Sequence, residues 1–178
     1  MNAKGQIWVS AVLYVAIGVI VLSLLLTAAV PLINKMKDRN TVVNTKDVLF
    51  TIDETIKTVA TEGPGSQREL TPLVMKAGQL VIDEKSDRIS WSLETNAVIT
   101  EPDTEIEEGA VTLLLESTPI VDKYVMHVNL TYLTLVDLKL ISNYQNPFSG
   151  TYSMSIRHTG NFTPGAITDM PVIEINIR

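Results

Sequence analysis

Between Gln6 and Asn34 the chain reads QIWVSAVLYVAIGVIVLSLLLTAAVPLIN, with no formally charged side chain. Ser10, Ser23 and Thr27 add small hydroxyls, and Gly18 and Pro31 are the interruptions in an otherwise aliphatic run. About 20 apolar residues are enough to cross a bilayer as a helix. This run is longer and, at about 1.5 Å per residue, would extend about 40 Å. Its Val, Ile and Leu residues fall on every side of a helix, so none of its faces suits water. Such a segment must be buried in lipid or against many copies of itself. Pro31 removes a backbone donor and crowds the preceding turn, which predicts a kink or local melting there. Gly18 is either a point of close helix approach or a passive small residue.

The residues before the run are informative. Met1-Asn2-Ala3-Lys4-Gly5 is short, and the apolar stretch exceeds the 7–15 residues or so usual in a cleaved secretory signal. Ala28-Ala29 offers an alternative cleavage point, but Pro31 and Lys35 follow it closely. Lys4-Gly5-Gln6 instead resembles the class III signal peptide of archaeal type IV pilins and archaellins. The resemblance implies cleavage between Gly5 and Gln6 by a prepilin-type peptidase on the cytoplasmic side. The apolar helix would stay in the mature subunit, membrane-spanning at first and later packed in a filament core with a β-sandwich-like head outside. It also implies core positions at Trp8, Val12, Val15, Val19, Leu22, Leu26 and Pro31. Many related subunits carry Glu at the fifth position after the cut; here that position is Ser10.

Charge divides the chain unevenly. Residues 1–40 hold Lys4, Lys35, Lys37 and Arg39 against Asp38, a net +3; with −6 overall, residues 41–178 carry −9. An acidic remainder is unsuited to nucleic acid, whose phosphates need basic contacts. It suits a solvated outer surface. Without cysteine there is no disulfide framework and no thiolate metal site. Lys35-Met36-Lys37-Asp38-Arg39 reads as a group of snorkelling anchors at a membrane boundary. Positive charge at the two ends of the apolar run is too similar to orient it, so a cytoplasmic N-terminus rests on the resemblance.

Beyond the membrane length, Val42, Leu49, Ile52, Ile56 and Val59 keep helical spacing. This predicts one apolar stripe packed on the head's own sheet, with Asp47, Asp53, Glu54 and Lys57 elsewhere on the circumference. Gly63-Pro64-Gly65 ends the helix. From Leu70 the period becomes two. Gly78 to Asp83 and Arg88 to Glu94 form a hairpin around Glu84–Asp87. Alternation recurs at Val111–Leu115, Tyr124–Tyr132, Tyr152–Ile156 and Ile173–Ile177, as in a sheet with one buried face. Asn143–Gly150 and His158–Pro171 read as turn-rich links. The expected class is α+β: a leader at 1–5, a long helix at 6–62 and an all-β, sandwich-like head at 66–178.

Catalytic signals are missing. There is no His-x-x-x-His pair, nucleophile elbow or phosphate loop. No enzyme, metal or cofactor is expected. The acidic stretch Glu101–Gly109 does not match an EF-hand and reads as a solvated hairpin protecting a sheet edge. Asn129-Leu130-Thr131 and Asn161-Phe162-Thr163 are N-glycosylation sequons. The resulting expectation is a homo-oligomeric, cell-surface filament subunit with a single-pass membrane precursor. Alternatives are a membrane-anchored β-domain binding module that does not polymerise, and a minor pilin or pseudopilin.

Overall fold

The computed structural model describes residues 3–165 and 169–178, with side chains from Trp8 onward. It contains one long helix, α1 (Ala3–Glu62), and eight strands: β1 (Gln67–Asp83), β2 (Arg88–Thr95), β3 (Glu105–Glu108), β4 (Val111–Ser117), β5 (Tyr124–Thr131), β6 (Asp137–Ser142), β7 (Phe148–Thr163) and β8 (Met170–Ile177). The chain divides into two compact units, Met1–Asp38 and Arg39–Arg178. The class is α+β, as expected. Helix α1 runs through Pro31 without a break, so the local melting predicted there does not occur.

In the second unit the strands form one curled sheet in the order β3-β4-β5-β2-β1-β7-β8-β6. All pairs are antiparallel except β6 with β8. Strand β1 serves two neighbours in turn. Its first half pairs with β7 and its last five residues, Gln79 to Asp83, pair with β2. The helical stripe packs where its spacing placed it. Leu49, Ile52, Ile56 and Val59 are fully buried in a cluster with Trp91, Met126, Val128, Met154, Ile156 and Ile175. The chain leaves α1 through Gly63 and Gly65, both at positive φ (90° and 87°), where a side chain would be strained. The Ser66 hydroxyl then donates to the Val59 and Gly63 carbonyls, each at 2.8 Å, satisfying acceptors that the helix end leaves open.

Four sequence expectations are corrected. The sheet starts at Gln67 rather than Leu70, because Gln67 to Leu70 pair with Arg157 to Met154. His158 is not beside a loop. It lies inside β7, is only 2% exposed, and its Nδ1 accepts the Gly160 N–H at 3.0 Å. The Thr-Gly-Asn run at 159–161 looked like a turn, but it makes a strand irregularity between the His158 and Phe162 pairings, with Gly160 at φ 85°. Asp53 was placed off the stripe, yet it is buried. Its carboxylate accepts Tyr132 Oη–H at 3.1 Å and Lys57 Nζ at 2.8 Å. Burial, and then the Asp53 charge, push the Tyr132 phenol well above its ordinary range.

Gly78 is the tightest point of the sheet. Its φ is 78°, and a Cβ there would stand 2.4 Å from the Ser92 carbonyl oxygen and 2.6 Å from Trp91 Nε1. The same indole donates to the Ala77 carbonyl at 3.0 Å, so it cannot swing away without losing that bond. Gly78→Ala is expected to destabilise the head by about 2–4 kcal/mol, combining positive-φ strain with a backbone clash. Denaturant unfolding followed by Trp91 fluorescence measures the loss.

Candidate functional site

The strongest functional feature is the first unit itself. Trp8, Val12, Val15, Val19, Leu22, Leu26 and Pro31 are all exposed, with Trp8 at 76% and Val15 at 67%, values at which a side chain has almost no neighbours. From Trp8 onward the helix has a stretch long and apolar enough to span a membrane, and none of it is buried. Two of its hydroxyls are satisfied within the helix. Ser23 Oγ donates to the Val19 carbonyl and Thr27 Oγ1 to the Ser23 carbonyl, each at 2.8 Å. Such i−4 bonds keep polar groups satisfied in apolar surroundings. Gly18 has open space where a Cβ would sit, so this chain's own packing does not require glycine there. Lys4, Gly5 and Gln6 lie outside the residues whose side chains are described.

The acidic stretch occupies the opposite end of the sheet from β6. Strand β3 is an edge strand, and Glu105, Glu107 and Glu108 are exposed along it. Glu108 pairs with Lys46 of α1. Asp103 accepts Ser117 Oγ at 2.6 Å and Ser117 N at 2.8 Å. Those two bonds, the hydroxyl first, hold its carboxyl below the usual range. Among the described residues no group of three or more His, Asp or Glu side chains is arranged to hold a metal ion. His127 faces outward and contacts Glu116 at 3.1 Å, far in the sequence and the sheet from His158.

The two sequons differ in setting. Asn129 alternates with buried Val128 and Leu130, so it faces away from the core, but it is half-buried between β2 and β4. Asn161 is exposed near the end of β7. Its partner hydroxyl, on Thr163, donates to the Asp137 carboxylate. Sequence reading did not find this contact, since nothing in either segment signals a pairing 26 residues apart. Burial opposes ionisation of Asp137, but the Thr163 hydroxyl and then Lys139, at 2.9 Å, outweigh it and lower the carboxyl's pKa. A lowered carboxyl stabilises the fold fully above its unfolded value and loses that contribution as the pH falls through its folded value. Asp137→Asn is therefore expected to cost about 1–2 kcal/mol at neutral pH. The difference from the parent should shrink below the ordinary Asp range, as read by thermal unfolding in a pH series.

Comparison with protein-family models, curated proteins and solved structures finds no match. The chain is thus defined by its architecture: a long, unburied apolar helix continuing into an α+β head.

Proposed function

We propose that this chain is a structural subunit of an archaeal type IV pilus-like extracellular filament. The observation that supports the reading is the apolar helix surface, whose membrane-length stretch is unburied among the described residues. In the precursor that surface is solvated by lipid. After removal of Met1 to Gly5 it transfers to a core made of neighbouring helices, and both surroundings are apolar. A heterologous contact that does not close on itself extends into a helical filament. The head, with its acidic outer edge, faces solvent. The subunit is not an enzyme and needs no cofactor in this reading. A second reading, a permanent single-pass anchor carrying a β-domain binding module, draws on the same membrane-spanning length.

Processing tests the proposal. N-terminal sequencing of exported protein should begin at Gln6, and Gly5→Arg should leave the precursor in the membrane fraction with a folded head. A mature chain beginning at Val30 or Pro31 would instead indicate ordinary secretion. Electron microscopy of sheared surface material, with peptide mass fingerprinting, separates filament from anchor.

A further inference from the structure

Strand β6 closes one end of the strand order and takes backbone bonds from β8 alone. An edge of this kind offers unpaired N–H and C=O groups to other chains. The surroundings increase the hazard: Leu133, Leu135 and Ile141 are all exposed beside it. Two outward N–H groups of β6 are nevertheless engaged by side chains. Leu138 N donates to Asp87 Oδ1 at 2.9 Å and Leu140 N donates to Glu84 Oε1 at 2.5 Å. Just past β6, the Asn146 amide imitates a backbone pair on β1. Its Oδ1 accepts Ile82 N at 3.4 Å and its Nδ2 donates to Ile82 O at 2.8 Å.

The contacts 82–146, 84–140 and 87–138 run in opposite directions along the two segments, as in an antiparallel ladder. Here, however, every bond uses a side chain. The β1–β2 turn is braced to hold them. Asp83 accepts Lys85 N at 3.0 Å and Ser86 Oγ at 2.6 Å, while the Asp87 carbonyl accepts Tyr132 N at 2.8 Å. Lys139, on β6, pairs with Asp137 at 2.9 Å and is further attracted by Glu84 and Asp87.

We propose that Glu84, Asp87 and Asn146 form a side-chain latch that closes the curled sheet along β6, and that opening the latch turns β6 into a strand-pairing surface for a second copy of this chain. A second copy fits because Asp137–Ser142 holds one acid and one base, so two such edges meet without net repulsion. Each copy also brings an identical edge, which permits a two-fold contact.

The test uses the full chain in detergent. Glu84→Ala with Asp87→Gly removes both carboxylates; glycine suits position 87, whose φ is 46°. Amide exchange at Leu138 and Leu140 should accelerate about tenfold, while amides in β2 and β5 hold their rates. Glu84→Gln with Asp87→Asn should keep most of the protection, since amide oxygens still accept. The chain has no cysteine, so Ile141→Cys supplies a single thiol on this edge. Its disulfide dimer should form several-fold faster without the latch than with it. Unchanged exchange at Leu138 and Leu140, or equal acceleration throughout the head, overturns the latch. Accelerated exchange without faster dimer formation overturns the pairing surface. If the double variant does not fold, the single variants decide: Leu140 should respond to Glu84→Ala only and Leu138 to Asp87→Gly only.

Discussion

Asp at Val15 or Val19 is expected to abolish filaments while leaving processed protein in the membrane. Both positions are more than half exposed in the apolar stretch of α1, none of which is buried, so neither substitution removes a core contact of the head. In a filament core the new carboxylate has no partner and no water. An unpaired buried charge costs several kcal/mol even after relaxation, and every subunit adds one. Insertion into a bilayer costs less, about 3 kcal/mol at the helix centre on translocon scales. Fractionation, N-terminal sequencing and microscopy of the same cultures read the outcome. Normal filaments from both variants would remove this segment from the core and favour the anchored binding module.

A chain starting at Asn40 is expected to be soluble, folded and β-rich, and a chain starting at Gly63 is expected to be unfolded. The first keeps Val42, Leu49, Ile52, Ile56 and Val59 in the head's core; the second removes them all. Full burial of one such side chain stabilises a fold by about 1.5–3 kcal/mol. Losing the group therefore removes about as much as the whole stability of an ordinary domain. It also deprives Tyr132 of its Asp53 acceptor and leaves a buried hydroxyl without its bond. Circular dichroism and cooperative thermal unfolding distinguish the two chains. A folded product from the Gly63 start would mean that the helical stripe is decoration on a self-sufficient sheet.

What the sequence showed and hid follows from the range of each signal. The long helix, its stop at Gly63 and the stripe from Val42 to Val59 are local patterns and were legible. So was the inward set Ile89, Trp91, Met126, Val128 and Leu130, because alternation exposes a half-buried strand directly. The acidic hairpin was correctly placed at an edge, since β3 is the outermost strand on its side. Hidden features depend on distant partners or on local chemistry that imitates something else. Gly160 within β7 imitated a turn. Asp53 looked like a surface charge because its acceptor role depends on Tyr132, 79 residues away. The parallel pairing of β6 with β8 had no signature in either strand, and the contacts of Glu84 and Asp87 looked like ordinary hairpin-turn polarity. For the apolar helix the sequence revealed the need for burial; the structure adds that none of the membrane-length stretch is buried among the described residues.

The position of β8 sets an order of events during synthesis. Strand β8 is made after the other seven described strands, yet it lies between β7 and β6 and joins them. It also brings Ile173, Ile175 and Ile177, each fully buried. As the polypeptide emerges from the ribosome, β6 comes out before either strand of that group and has no backbone partner until β8 arrives. In the proposed membrane precursor the helix could enter lipid early, because its interactions there need nothing that follows. The sheet must wait, since its closing contacts link β6 to residues more than 30 positions later. Released chains truncated before Met170 should therefore be open to protease between β6 and β7, and chains carrying β8 should be protected there.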